Sequence, residues 1–288
     1  MISRRRFACA AAAAPFAFGA RRVRVGAHLW VYAAKQPNYD ATPILDQVFR
    51  EIKEAGLDGI ELMHVNLLHD DAVARVRALS KKYRLPVMGS SWSAPMWDSS
   101  KRAEILKEGD TLTARVAELG GALLGISVGD ARRKKTSAEF DAQAETLRAV
   151  LALCRKRGIE GNLHNHIYEV ADGEYDLRNT IERVPAAKLG PDLNWLKRAK
   201  IDPVDFIRRH GKRIVYAHLR DEKADGRWAE AMGEGTMDYS AIGEALREAG
   251  FAGDLAIELA HERDFTPTRS YGESFRISRE YVRRVMGF

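Results

Sequence analysis

The most constraining feature of the chain is a unit that repeats. Short β-rich runs begin near Val23, Gly59, Pro86, Ala122, Ile159, Ala187, Ile214 and Asp254, about every 33 residues, and a helical pattern follows each. Three of the helices carry clear punctuation. Thr42 and Pro43 read as N-cap and first helical residue before an Ile44, Val48, Phe49 and Ile52 face that Gly56 stops. From Ser137 to Arg157 a stripe of Phe140, Leu147, Val150, Leu151 and Cys154 ends at Gly158, and Asp238 to Ala249 ends at Gly250. Eight strand–helix pairs in roughly 265 residues match the count and size of a single-domain α/β protein of the (β/α)8 barrel class. An open, doubly wound sheet is the main alternative.

Side-chain parity favours the closed barrel. In such a barrel alternate residues of each strand face the helices and are apolar, while the others line the lumen and turn polar towards its C-terminal mouth. Val23, Val25, Ala27 and Leu29 share one face against His28 and Trp30; Ile60 and Leu62 oppose Glu61; Leu124, Ile126 and Val128 oppose Ser127. Ile159 and Leu163 oppose His164 and His166, and Leu189 and Leu193 oppose Asp192 and Asn194. Val215, Ala217 and Leu219 oppose Tyr216, His218 and Arg220, and Leu255, Ile257 and Leu259 oppose Glu258. The polar set gathers at the strands' C-terminal ends, where barrel enzymes carry their chemistry.

The fifth to eighth strands thus offer His164 and His166, Asp192, His218 and Glu258. A lone lumen histidine is ordinarily a hydrogen-bonded core residue. Several ligand types at one height instead suit one divalent cation, Mn, Zn, Co, Fe or Mg, with positions left for substrate oxygens.

These residues carry a resemblance. His218-Leu219-Arg220-Asp221, Gly233-x-Gly235, Asp238 opening a helix and Ala256-Ile257-Glu258 resemble the xylose isomerase-like TIM barrels of the sugar phosphate isomerase/epimerase superfamily. Asp58 to Leu62 and Asp202-Pro203 are similar to that family too, over roughly Val23 to Phe288. The resemblance implies a divalent metal on Asp192, His218 and Glu258 with a fourth ligand from the fifth strand. That ligand is a glutamate of Glu-Asn-His in many members; here His164 of His-Asn-His stands in its place. This form is similar to a subset linked to 3-keto sugars and inososes, with epimerases, dehydratases and glycoside-cleaving lyases. Trp195 stands where a histidine often follows the sixth-strand aspartate.

Proton abstraction beside a sugar carbonyl needs an electrophile for the enediolate oxygens and a base over the carbon. Glu258, His166 and Glu169 are the expected catalytic residues. Arg220, Trp30, Trp92, Glu61 and His28 are expected around the substrate, with the tryptophans giving a sugar ring its apolar face. Returning the proton gives isomerisation or epimerisation; losing a β-substituent gives dehydration or lyase cleavage.

Composition bounds the setting. Ser3-Arg4-Arg5-Arg6-Phe7 and the charge-free, alanine-rich run to Ala20 resemble a twin-arginine export signal over residues 1–20, which implies a periplasmic or otherwise exported protein. Without those three arginines the net charge falls from +6 to +3, so no nucleic-acid partner is expected, and no later apolar run is long enough to span a membrane. Arg132 to Lys135 reads as a solvated loop, Cys154 as a buried, inert thiol. A carbohydrate is the expected partner; a homo-oligomer is left open. Three other readings compete: a serine hydrolase on Gly125-Ile126-Ser127-Val128-Gly129 with Asp221 and His261, a DNA-repair endonuclease, and a sugar-binding barrel without turnover.

Overall fold

The computed structural model describes residues 22–288, so the leader expected over 1–20 lies outside the described residues. The strands are β1 (Val25–His28), β2 (Ile60–Met63), β3 (Val87–Ser93), β4 (Leu123–Ser127), β5 (Glu160–Leu163), β6 (Lys188–Leu189), β7 (Tyr216–Leu219) and β8 (Asp254–Glu258). They alternate with α1 (Trp30–Ala33), α2 (Leu45–Glu54), α3 (Ala72–Tyr83), α4 (Arg102–Glu118), α5 (Ser137–Lys156), α6 (Ile167–Arg183), α7 (Leu193–Arg198), α8 (Pro203–His210), α9 (Tyr239–Glu248) and α10 (Tyr271–Tyr281). All strand pairs are parallel, in the order β6-β5-β4-β3-β2-β1-β8-β7. Single bridges Leu189↔Ile214 and Asp192↔His218 join the two ends into a nearly closed TIM barrel. The open doubly wound sheet is thereby excluded. Among the described residues no helix is long and apolar enough to cross a membrane.

Local chemistry sets the helix starts. Thr136 and Glu139 form a reciprocal capping box at α5, with Thr136 N to Glu139 Oε2 at 2.7 Å. Asp202 caps α8 through Val204 N at 2.7 Å, and Asp238 caps α9 through Ala241 N at 3.0 Å. The expected Thr42 cap is not formed. Thr42–Ile44 is a 3-10 turn whose Thr42 amide donates to Asp40 Oδ1 at 2.9 Å, and α2 begins only at Leu45.

The lumen is layered. Met88, Leu123, Tyr216 and Ala256 plug its lower part, and a Cβ at Gly26 would lie 2.2 Å from Met88 Sδ, so only glycine leaves room for that plug. The set expected to face the helices, Val25, Ala27, Ile60, Leu62, Leu124, Ile126 and Ile257, is buried. Cys154 is buried too, and burial pushes its thiol up to about 12.

Two expectations differ from the structure. β5 stops at Leu163 and β6 at Leu189, so His166 is the N-cap of α6, Asp192 the N-cap of α7, and Asn194 a residue of α7. Nor is Arg132–Lys135 a wholly solvated loop. Lys135 is buried, with Nζ 2.6 Å from Asp176 Oδ2 and 2.7 Å from Gln143 Oε1.

Candidate active site

Asp192 owes its place to two devices. Its Oδ1 caps α7 through Asn194 N at 2.9 Å and Trp195 N at 3.0 Å, and the Asn165 side chain clasps its backbone, donating to Asp192 O at 3.3 Å and accepting from Asp192 N at 3.2 Å. The middle residue of His-Asn-His therefore fixes the fifth strand end to the sixth. His164, one residue earlier, keeps a sheet bond from its amide to Ile126 O at 2.9 Å.

His164, Asp192, His218 and Glu258 converge. Each is buried, each offers one ligand-type atom, and the four atoms lie within 4.8 Å of one another. Four donors up to 4.8 Å apart lie within about 3 Å of a common centre, so closing to about 2.1 Å from a bound ion asks for shifts of about an ångström or less each. His164 Nδ1 is buried with no hydrogen-bond partner. Burial, then the neighbouring His218 and His166, keep the His164 imidazole well below its ordinary pKa, hence neutral as ligation requires. Two imidazoles and two carboxylates with an unpartnered nitrogen fit a borderline divalent cation.

The electrostatics bind the cluster together. Arg220 Nη2 meets Asp192 Oδ2 and, at 3.0 Å, Glu258 Oε1. His218 Nδ1 is 2.6 Å from Glu258 Oε2, and its Nε2 is 2.7 Å from Glu61 Oε2. Burial alone would lower the His218 pKa, but a carboxylate at each ring nitrogen raises it to about 10, so an ion bound here would have to displace a proton from this ring. Burial likewise opposes the Glu258 charge; Arg220, His28 and His218 overcome it and hold the carboxyl well below its usual range.

Above the cluster opens a cleft of about 290 Å³. Its wall includes Trp30, Trp92, Trp195 and Trp228, four of the chain's five tryptophans, together with His28, His166, Arg220 and Glu258. His28 Nδ1 accepts from Trp30 N at 3.2 Å, its Nε2 lies 2.8 Å from Ser91 Oγ, and burial lowers its pKa. Trp92 Nε1 donates to Glu108 Oε1 at 2.6 Å. The Arg220 guanidinium lies 5.4 Å from the Trp195 ring and 5.2 Å from the Trp228 ring.

Two expected site residues stand elsewhere. Glu61 is buried beneath His218, its Oε2 also accepting from Tyr216 Oη at 2.8 Å, and does not line the cleft. Glu169 is likewise off the cleft and buried, its Oε1 taken by Ser127 Oγ at 2.5 Å and its Oε2 by His166 N at 2.7 Å, because it is the third residue of the α6 capping box. Arg220, expected beside the substrate, pairs with Asp192 and Glu258. Trp228, His64, Ser91 and Ser93, which line the cleft, escaped the sequence reading; Trp228 lies on a long loop with no period, and its Nε1 reaches Asn194 Oδ1 at 3.0 Å only after folding.

The hydrolase constellation is not assembled. Ser127 ends β4, ten residues before α5, where an elbow needs a helix at once. Asp221 Oδ2 accepts from the Gly233 and Gly235 amides at 2.9 and 3.1 Å, and His261 packs on Phe265 and Tyr271. A Cβ at Gly235 would fall 2.2 Å from Asp221 Oδ1, so Asp221 and this glycine together shape the loop after β7.

A family model described as xylose isomerase-like TIM barrel matches residues 49–281. The chain belongs to this family. Among curated proteins, the inosose dehydratase of Geobacillus kaustophilus (strain HTA426) is 22% identical over 278 residues, covering 84% of this chain and 87% of that one. A sugar phosphate isomerase/epimerase of Parabacteroides distasonis ATCC 8503 superimposes with a TM-score of 0.72 at 16% identity, over 92% of this chain and 95% of that one. The 3-keto-D-glucoside 4-epimerase of E. coli gives 0.68 at 18% identity, over 90% of this chain and all of its own. The xylose isomerase-like barrel described here thus shares its fold with sugar-processing enzymes.

Proposed function

We propose that the protein is a divalent-metal-dependent sugar isomerase or epimerase that moves a proton on the carbon next to a keto-sugar carbonyl. The observation that carries this reading is the convergence of His164, Asp192, His218 and Glu258 at the foot of a tryptophan-walled cleft. These four residues would hold the ion, whose chemistry when bound is Lewis-acid stabilisation of negative charge on substrate oxygens.

The chain's own residues do the rest. The tryptophan faces bind a sugar ring and exclude water, which strengthens every charge interaction in the cleft. Arg220, held between two carboxylates and two indoles, donates to a substrate oxygen. His166 lines the cleft and takes the proton from carbon; its Nδ1 lies 3.4 Å from Tyr168 Oη and 3.7 Å from Glu169 Oε2, which orient the ring. Burial acts against a charged His166, but Glu169 outweighs it and raises the pKa. Glu169 is assigned this orienting task instead of the base role. Glu258 also lines the cleft and serves as the second proton carrier, the pair that epimerisation through opposite faces needs.

A second reading uses the same first step. The resemblance to an inosose dehydratase favours loss of a β-substituent from the enediolate, as in a dehydratase or 3-keto-glycoside lyase. Incubation with keto sugars and 3-keto glycosides in deuterated water separates the two. Deuterium in recovered sugar identifies the isomerase or epimerase, and an enone or released aglycone identifies the lyase. Activity of either kind that survives complete chelation refutes the metal assignment. Export to the periplasm through the 1–20 leader remains part of the proposal, tested by fractionating cells that express the full chain.

A further inference from the structure

Among the described residues, three large hydrophobic side chains are exposed: Tyr39, Leu68 and Ile167. All three follow strand ends, on the segments after β1, β2 and β5, so they rim the end of the barrel where the cleft opens. Tyr39 is the most exposed, at 49%. It is also held in place. Asn38 and Tyr39 are consecutive non-glycine residues in the left-handed region, with φ of 53° and 57°, which L side chains keep only where their surroundings over-determine it.

The surroundings are visible. The next residue, Asp40, accepts from Thr42 N at 2.9 Å and Asn66 Nδ2 at 3.1 Å, and its other oxygen is 2.8 Å from His69 Nε2. The β1 loop is thereby clamped to the β2 loop with the Tyr39 ring turned outward. That ring lies 5.3 Å from Trp30, tilted by 32°, and Trp30 lines the cleft. An aromatic surface therefore runs without a break from the cleft wall to the rim.

We propose that Trp30 and Tyr39 form a subsite for a planar apolar group attached to the sugar, so that the substrate class is an aryl glycoside of a keto sugar rather than a free keto sugar. This rests on the reading above, since the sugar ring must lie at the four-residue cluster. The platform is two rings wide. That suits one aromatic substituent and is far smaller than the roughly 800 Å² per partner of a stable protein interface, which argues against a second copy as its occupant.

Calorimetry with phenyl and methyl β-D-glucopyranoside, analogues that lack the ketone and so bind without turnover and that differ only in the aglycone, tests the proposal on metal-loaded wild type, Tyr39→Ala and Tyr39→Phe. Phenyl glucoside is expected to bind about tenfold tighter than methyl glucoside to wild type and to Tyr39→Phe. In Tyr39→Ala the gap should close to about twofold with methyl affinity unchanged. Equal affinities in wild type, or a gap that survives Tyr39→Ala, overturn the subsite. So does a dimer in sedimentation velocity that Tyr39→Ala dissociates, which would make the rim an interface between copies. If neither glucoside binds while keto sugars still exchange deuterium, the subsite falls and the cluster's function stands; if exchange is absent too, both fall.

Discussion

Glu61→Gln separates a residue that supports the cluster from one that touches substrate. Glu61 is 2% exposed, and a single oxygen, Oε2, accepts from both His218 Nε2 and Tyr216 Oη. Glutamine keeps the shape and one carbonyl acceptor but loses the charge that helps hold His218. A carboxylate behind a ligating imidazole sets its tautomer and basicity, and losing it typically costs about 10–100-fold in metal affinity, or about 1.4–2.7 kcal/mol. Tyr216→Phe removes one hydrogen bond and leaves the charge, so its loss should stay near 1 kcal/mol. Titration of Mn2+ and Zn2+ into metal-stripped protein reads the affinities, and deuterium exchange at saturating metal reads KM. The expected result is weaker metal binding in the order wild type, Tyr216→Phe, Glu61→Gln, with KM close to wild type. Unchanged metal affinity with a raised KM would refute the reasoning and return Glu61 to the substrate, where the sequence alone had put it.

Three further outcomes are expected. Asp176→Asn strands the buried Lys135 and should cost about 3–5 kcal/mol in urea unfolding, while Lys135→Met/Asp176→Asn recovers most of it; additive losses would show that the two do not act as a pair. Burial opposes the Glu174 charge, but Arg209 and His210 outweigh it and lower its pKa, so this carboxylate adds stability above the ordinary glutamate value of 4.5 and loses it as pH falls through the lower folded value. Glu174→Gln should therefore melt earlier than wild type at pH 7, by about 1 kcal/mol given the half-exposed Arg209, with the difference vanishing in acid; a constant difference would assign the effect to packing. Finally, a serine-directed fluorophosphonate should leave Ser127 unlabelled by intact mass, because its hydroxyl is bonded to Glu169 and Tyr168 with no histidine as base; labelling would revive the hydrolase reading.

The sequence by itself determined the eight strand–helix units, the strand starts to within two residues, and the identity of His164, Asp192, His218 and Glu258 as the residues that meet. These are legible because period-2 burial, caps and glycine stops are free energies of neighbouring residues, and a closed parallel barrel brings strand ends to one rim whatever the loops do. Tertiary structure decided what parity could not. Both Glu61 and Glu169 are polar residues near strand ends, yet Glu61 lies beneath His218 and Glu169 turns back to cap its own helix. Asn194 takes no strand face, since the chain had already left β6 and entered α7. Trp228 entered the cleft wall with its indole bonded to Asn194 on α7. In each case the deciding energy is a contact between distant segments, and a single strand's pattern records which face a residue takes but not what waits for it there.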